Sequence, residues 1–294
     1  MHATDAAHYP RAQILGAAAS LGLAGEELGG TSYLISKLCN PQISMAEVAR
    51  VAKLEPVIYA KILRVANSSF YGRSRSVTSL ERAVVILGLD AVRGIAAAAC
   101  LDRTIRRCPG RSAVSLHSVL RHSLATATAA EVLARRCLRE GEPDAFVAGL
   151  LHNLGIALQT RLDPNGVQRL LARLANGTPA GIRELEQSCG LIGHEDAMAQ
   201  VYTEWGLPPA LVESTRHHHG SEEAPERFRG LAALVGLSAH LASRCGRTHS
   251  LEAPLAQPRP EDLAQLALTL PELEALQSQL PGPIESIQKA LLDA

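Results

Sequence analysis

Aromatic side chains are scarce in this sequence: Phe, Trp and Tyr make up 3% of the chain, whereas apolar residues make up 47%. A hydrophobic core must therefore consist mainly of Leu, Ala, Val and Ile, and this mixture favours helices that pack closely through alanine. The sequence also lacks an alternating strand pattern, an internal repeat and a glycine-rich phosphate loop. We therefore predict an all-α protein.

The formal net charge is zero, because 29 Lys and Arg residues balance 29 Asp and Glu residues. This balance argues against a protein built to coat nucleic acid or an anionic membrane surface. No apolar run approaches the ~20 residues that a membrane-spanning helix needs. The six cysteines form no CxxC pair and the N-terminus shows no signal-peptide pattern. We therefore expect a reduced, cytoplasmic setting without membrane contact.

The overall balance hides an uneven distribution of charge along the chain. Residues 61–111 contain ten basic and three acidic side chains, whereas residues 252–294 contain two basic and seven acidic ones. The basic middle could meet the acidic tail, or it could meet an anionic partner.

Two short predicted helices around Pro56 raise the alternative of a helix-turn-helix in which Lys61 and Arg64 contact phosphates. We favour a plain helical bundle in which these basic residues are solvated. The loop that follows offers only Phe70 and Tyr71 for stacking on bases, which weakens a single-strand binding mode. Nucleic acid is therefore not an expected partner.

Local signals mark where several helices begin. Ser44 and Glu47 form a capping-box pattern, and Thr78 and Glu81 form a second one. A Pro- and Gln-containing linker at residues 253–260 precedes three short helices that open with acidic residues or proline. These signals predict consecutive helices along the chain.

The residues that carry the most chemistry are His152 and Asn153, which directly follow the apolar helix predicted at residues 146–151. Such an apolar helix is expected to be buried, so the polar groups at its end need hydrogen-bond or metal partners. One interpretation is a hydrogen-bonded core pair, and the residues alone favour it. The other is a metal site, because imidazole groups on several helices can hold Zn²⁺, Fe²⁺ or Mn²⁺. The other histidines of interest are His122, His194 and the run His217, His218 and His219.

Two stretches resemble signatures of the HDOD family, the HD-related output domains of bacteria. KILRVANSSFYG at Lys61–Gly72 is similar to the family pattern LLRxANSxFYG, and VTSLERAVVILG at Val77–Gly88 is similar to VxSLxxAIxxLG. The segments around His122, His152 and His219 continue the match in order. The resemblance extends roughly from residue 31 to residue 244.

This resemblance implies an all-helical, multi-helical bundle organised as an HD-like helical core with an N-terminal helical subdomain and a C-terminal helical extension. The corresponding segments are an N-terminal helix and loop at residues 1–30, an N-terminal helical subdomain at 31–112, an HD-like subdomain at 113–250 and the extension at 251–294. The family is related to HD phosphohydrolases and generally serves in signalling, usually without demonstrated catalysis.

Carried over by position, the resemblance implies a metal set of His122, His152, Asn153, His194, His218 and His219. Asn153 stands where the HD motif has Asp, and the late Asp of the family falls at about Ala239, where no carboxylate is present. A general base for water is therefore missing. We expect the site to be vestigial and no cofactor to be required, although the imidazoles could still hold Zn, Ni or Fe.

The predicted function is a non-catalytic regulatory module in bacterial signal transduction that acts by binding a signalling protein. The alternative is a metal-dependent phosphohydrolase or nucleotide-binding sensor that uses the same pocket. The expected partner contact comprises Phe70, Tyr71, Arg73 and Arg75, because aromatic and arginine clusters are enriched at binding hot spots. The competing interpretation is that both rings pack into the bundle and fix the loop.

Overall fold

The computed structural model confirms an all-α architecture in the part of the chain that it describes. Because the apolar residues recur at helical spacing and few β-branched runs interrupt them, the described residues form seventeen α-helices and two short 3-10 helices. The described residues are 9–21, 31–40, 42–54, 56–71, 76–107, 114–137, 145–177, 180–251 and 257–292.

The first six helices form the N-terminal half. Ser44 and Glu47 make the predicted capping box, since Glu47 N donates to Ser44 Oγ (3.3 Å) and Ser44 N donates to Glu47 Oε2 (3.0 Å). The capping box predicted at Thr78 is wrong by one residue: Ser79 caps α5 and accepts from Arg82 N at 3.3 Å. The helices are α1 (Arg11–Ser20), α2 (Thr31–Leu38), α3 (Met45–Leu54), α4 (Pro56–Ala66), α5 (Leu80–Leu87) and α6 (Leu89–Arg107).

Helix α6 lies at the centre of this half and contacts α2, α4 and α5. Its alanine run from Ala96 to Ala99 is buried, which allows the neighbouring helices to approach closely. Within the described ranges, no single helix combines the length and apolarity that a bilayer crossing requires. Residues 80–87 and 91–106 would meet these criteria only together, and a bend of 114° separates them.

Basic residues of this half are not all solvated, contrary to the sequence-based interpretation. Lys61 is buried and donates to Asp102 Oδ2 at 2.6 Å. Arg93 is also buried, and its Nε donates to the Leu38 carbonyl at 2.6 Å. The reason is that α4 and α6 face each other, so a carboxylate 41 residues away in sequence pairs with Lys61.

The second half is built around α7, which packs against α8 and α14. Gly149 on α8 is required there, because a Cβ would meet the backbone of Ala127 on α7 at 2.8 Å. The helices of this half are α7 (Leu116–Cys137), α8 (Ala145–Leu151), α9 (Gly155–Leu162), α10 (Pro164–Ala175), α11 (Ile182–Ser188), α12 (His194–Glu204), α13 (Pro209–His217) and α14 (Glu226–Arg244).

Three further helices complete the described chain: α15 (Pro260–Gln265), α16 (Leu270–Gln279) and α17 (Pro281–Leu292). Helix α17 packs on α7 and α4, and buries Ile284, Ile287 and Leu291 in the same core as the rest of the molecule. Helix α15 packs on α14 and on the 3-10 helix Ser221–Glu223. Helix α17 therefore contacts helices of both halves, and α15 contacts the second half.

Candidate metal centre

A cavity of about 320 Å³ lies between the helices of the second half. Its polar lining consists mainly of imidazoles supplied by α7, the turn after α8, the start of α12, the turn after α13 and the segment after α14. The imidazole and carboxamide side chains around it include His122, His152, Asn153, His194, His218, His219, His240 and His249.

The turn between α8 and α9 places His152 and Asn153 in this wall. Helix α8 ends at Leu151 and α9 begins at Gly155, with three residues between them. Gly155 has no side chain, and a Cβ there would collide with the His194 carbonyl. The glycine therefore lets the first residue of α12 lie directly against the turn that carries His152.

Four of the histidines have the same hydrogen bond at Nδ1. His122 Nδ1 lies 2.6 Å from the Arg247 carbonyl, His152 Nδ1 lies 2.7 Å from the Gly149 carbonyl, and His218 Nδ1 lies 2.8 Å from the Thr215 carbonyl. His194 Nδ1 lies 2.7 Å from Glu186 Oε1.

A carbonyl or carboxylate oxygen can only accept, so each of these Nδ1 atoms carries the proton. In a neutral imidazole the other nitrogen, Nε2, then has a lone pair; that of His122 faces Thr126 Oγ1 at 3.3 Å. Histidines that bind metals in proteins usually have this arrangement, because the outer hydrogen bond sets the tautomer and the ring orientation. The cavity wall is therefore pre-arranged for ligation through Nε2.

Two of these lone pairs face each other. His194 Nε2 and His218 Nε2 are 3.4 Å apart, and neither neutral ring has a proton to place between them. The ligand atoms of His194, His218 and His219 all lie within 4.8 Å of one another. Two nitrogens at roughly 2.0–2.1 Å from a tetrahedral Zn²⁺ would be separated by roughly 3.4 Å. The residues present thus fit a transition-metal ion.

Unsatisfied polar atoms occur in the same place. His152 Nε2 and Asn153 Oδ1 are buried and have no hydrogen-bond partner among the described residues. A buried polar atom without a partner costs roughly 1–3 kcal/mol, so such atoms call for a ligand or water.

Burial also keeps several of these rings neutral. It lowers the pKa of His152, His218 and His219 well below the ordinary value, and the neighbouring imidazoles lower the pKa of each further. Burial opposes protonation of His194 too, but the Glu186 carboxylate outweighs it and raises the pKa of this histidine. Neutral rings are the form that binds a metal.

Carboxylates surround the cavity without lining it, as far as the described residues show. Glu186 accepts from His194 Nδ1 and from Gln159 Nε2, both at 2.7 Å. Glu195 accepts two hydrogen bonds from Arg183, at 2.5 and 3.1 Å, and one from His219 N. Within the described residues, Glu186 and Glu195 are therefore engaged in orienting the side chains of the cavity wall.

The structure brings all six residues of the predicted metal set into one wall. Ala239, where the late acid was expected, lines the same cavity. Sequence reasoning missed His249, which is buried beside Asn153 and lies in the segment after α14. No motif marked it, and the only available signal was a histidine shortly after the last helix of this half.

The predicted partner contact lies elsewhere in the molecule. Phe70 and Tyr71 belong to the 3-10 helix Ser69–Tyr71, which packs against α17, and both rings are only partly buried. Their ring centroids are 4.7 Å apart, and burial raises the pKa of Tyr71 to about 12. Arg73 and Arg75 lie outside the described residues.

Comparison with known proteins places this architecture in a family. The sequence model of the HDOD domain matches residues 31–221. A solved HDOD domain protein of unknown function from Geobacter sulfurreducens has a TM-score of 0.73 at 19% identity, covering 96% of this chain and 99% of its own. A candidate phosphohydrolase from Shewanella amazonensis SB2B has a TM-score of 0.69 at 22% identity, covering 95% and 98%.

A candidate signal transduction protein from Marinobacter aquaeolei VT8 has a TM-score of 0.70 at 23% identity, and the match covers 95% of this chain and 64% of that one. At these identities the likeness shows the fold. The chain spans 38% of the length of a curated relative, an uncharacterised protein of Treponema pallidum (strain Nichols), to which it is 22% identical over 205 residues.

Proposed function

Because this chain belongs to the HDOD domain family, we propose that it is a regulatory signal-transduction module whose histidine cavity binds a transition-metal ion. In this proposal the module acts through a partner protein and does not hydrolyse a substrate. The fold and the family are the premises, whereas the ion and the lack of hydrolysis are inferred from the wall of the cavity, and the partner contact from the segment that begins at Phe70.

The observation that supports the ion most directly is the pair of Nε2 atoms of His194 and His218, 3.4 Å apart. Their Nδ1 protons are committed to Glu186 and to the Thr215 carbonyl. A cation between the Nε2 atoms would relieve the repulsion of the two lone pairs. His194, whose pKa Glu186 raises, could accept a proton there, but the further donor His219 favours a metal.

The donor set argues against hydrolysis. A bound ion could act as a Lewis acid and lower the pKa of a coordinated water. The chain would still have to hold that water and accept its proton, and no acidic residue lines the cavity within the described ranges. Nitrogen donors alone suit Zn²⁺ or Ni²⁺ better than Mg²⁺ or Mn²⁺, which prefer oxygen ligands.

The competing function is a metal-dependent phosphohydrolase or a nucleotide sensor. Arg183 and Arg259 line the cavity, and guanidinium groups suit phosphate. Both are paired with acids: Arg183 with Glu195 and Glu223, and Arg259 with Glu222 at 2.5 Å, although Arg259 Nη1 is buried without a hydrogen-bond partner among the described residues. Because the pairing with acids offsets the positive charge of both guanidinium groups, we favour the signalling role.

The test uses full-length protein without a histidine tag, purified from medium supplemented with zinc. We expect inductively coupled plasma mass spectrometry to find about one transition-metal ion per chain. We also expect no metal-dependent turnover of nucleotides, cyclic nucleotides or model phosphodiesters, with Zn²⁺, Ni²⁺, Mn²⁺ or Fe²⁺ added.

His194→Ala should lose most of the bound metal. His117→Ala is the matched control, because His117 lies on α7 but is exposed to solvent. Turnover that requires the metal and disappears in His194→Ala would establish the hydrolase instead. Wild-type protein that retains no ion and binds none on titration would overturn the metal proposal itself.

The partner contact is proposed to include the segment from Phe70 to Arg75. The double substitution Arg73→Glu and Arg75→Glu should abolish capture of the native partner while leaving the helical circular dichroism and the melting temperature nearly unchanged. A matched double reversal at two exposed arginines, Arg50 and Arg227, should leave capture intact. Partner capture that survives the first reversal would place the interaction surface elsewhere.

A further inference from the structure

A buried carboxylate lies behind the three donors of the proposed centre, His194, His218 and His219. Glu186 on α11 is 1% exposed, and its Oε1 accepts from His194 Nδ1 at 2.7 Å. Its Oε2 accepts from His194 N at 3.4 Å. One imidazole ring therefore separates this carboxylate from the His194 Nε2 that lies 3.4 Å from His218 Nε2.

A second side chain holds the carboxylate in this position. Gln159 on α9 is fully buried, and its Nε2 donates to Glu186 Oε1 and to the Ile192 carbonyl, both at 2.7 Å. Because both of these partners are acceptors, the amide nitrogen must face them. The amide thus connects α9, α11 and the segment before α12, and it keeps Glu186 against His194.

Glu186 differs from the other buried acid beside the three donors in how its charge is balanced. Arg183 donates to Glu195 at 2.5 and 3.1 Å, so a guanidinium group compensates that carboxylate. Within the described ranges, by contrast, no Lys or Arg forms an ion pair with Glu186, which is paired with the His194 ring alone. A buried charge without a counter-charge is costly, so a cation bound to His194 would offset the charge of Glu186.

We propose that Glu186 is a positioning residue of this metal centre and that, through His194, it supplies the negative charge that positions 153 and 239 do not carry. The inference rests on the metal site proposed above. The hydrogen bond fixes the His194 ring with Nε2 toward His218, and the carboxylate behind the ring attracts the cation. The charge that balances a divalent ion is thus placed outside the ring of donors.

Orientation and charge have different consequences, so they can be separated. Three nitrogen donors leave one position of a tetrahedral ion open to an added anion such as azide. The negative charge of Glu186 strengthens the binding of the cation and weakens the binding of an anion to that cation. Removal of a residue that only orients His194 would weaken metal binding without strengthening anion binding.

The experiment measures Zn²⁺ affinity by competition with a chromophoric chelator, and azide binding to the Co²⁺-loaded protein by visible absorption. Glu186→Gln keeps an acceptor for His194 Nδ1 but removes the charge, so Zn²⁺ affinity should fall about tenfold. Azide affinity should rise about threefold in the same variant. Glu213→Gln is the matched control and should change neither affinity, because Glu213 lies 3.2 Å from Nε2 of His217, which is not one of the three donors.

Circular dichroism and melting temperature establish that each variant is folded, and Glu186→Ala is a second neutral variant in which azide affinity should also rise. If wild type binds Zn²⁺ but azide binds no more tightly to either neutral variant, Glu186 does not supply charge to the centre and only this inference fails. Unchanged Zn²⁺ affinity in both variants would contradict the positioning role as well. If wild type binds neither Zn²⁺ nor Co²⁺, this inference and the metal proposal fail together.

Discussion

The two halves of the molecule bury polar groups in different ways. In the N-terminal half, Asp102 accepts from Lys61 at 2.6 Å and from Arg106 at 2.9 Å, and Arg106 also donates to the Leu292 carbonyl. Each of these charges therefore has a partner within the protein. In the histidine cavity, by contrast, His152 Nε2, Asn153 Oδ1 and His249 Nδ1 remain without hydrogen-bond partners.

The difference separates polar groups that stabilise the fold from polar groups that are arranged for a ligand. A closed network such as that of Asp102 holds α4, α6 and α17 together, and further binding would disrupt it. The cavity is only partly satisfied: the Nδ1 atoms of four histidines are hydrogen-bonded, whereas His152 Nε2, Asn153 Oδ1 and His249 Nδ1 have no partner among the described residues. The unsatisfied polar atoms of this wall lower the stability of the fold, but they remain available to bind a ligand.

The largest expected effect comes from breaking the closed network. Asp102→Ala leaves the Lys61 ammonium buried without its carboxylate, and removal of one partner of a buried pair typically costs about 3–5 kcal/mol. Urea denaturation would measure the loss in free energy of unfolding. The double variant Lys61→Met with Asp102→Leu should recover much of it, and an Asp102→Ala protein as stable as wild type would show that the pair contributes little.

A second effect concerns the buried carboxylate of Asp262. Asp262 on α15 is 1% exposed and accepts from Ser221 Oγ at 2.5 Å. Burial raises its pKa from 3.8 to about 6, with Glu222 and Glu261 also raising it and Arg259 lowering it. Because the folded state binds this proton more tightly, the stabilisation is present below pH 3.8 and is lost as pH rises through about 6.

Unfolding free energies at several pH values would measure this linkage. Between pH 4 and pH 7, wild type should lose about 2 kcal/mol that Asp262→Asn does not lose. Parallel pH profiles for the two proteins would assign the titration to another group.

A third effect concerns the geometry that assembles the cavity. Gly155→Ala places a methyl group against the His194 carbonyl and should cost about 2 kcal/mol, because α12 must shift. Metal affinity should fall with stability, since His194 moves with the helix. Gly230→Ala is the control, because a Cβ there meets no atom within 4 Å. Unchanged metal binding in Gly155→Ala would show that the approach of α9 to α12 is adjustable.

The smallest expected effect comes from restoring one negative charge to the cavity wall. Asn153→Asp should raise the affinity for a divalent ion about tenfold, roughly 1.4 kcal/mol, because a carboxylate joins the donor set. It should not create phosphohydrolase activity, since Ala239 still offers no acid to activate water. Chelator competition measures the first quantity and a phosphodiester assay the second. Clear metal-dependent turnover in this variant would mean that the late acid is dispensable.

Several features of the site were predictable because they depend on local sequence. The apolar run before His152 predicted a buried helix end, and the structure shows a fully buried α8 that ends at Leu151. The capping box at Ser44 was predictable for the same reason, since cap and partner are three residues apart. The displaced cap at Ser79 shows the limit, because Thr78 and Ser79 both satisfy the local pattern and packing selects between them.

The sequence by itself determined that the chain is helical, that its motifs are those of one family, and that neither position 153 nor position 239 carries a carboxylate. Tertiary structure alone decided how long-range pairs form. Lys61 is internal because α6 brings Asp102 to it, and His249 lines the cavity because the segment after α14 folds back onto Asn153. Contacts between residues 41 and 96 positions apart leave no periodic trace in sequence, since they depend on how whole helices pack.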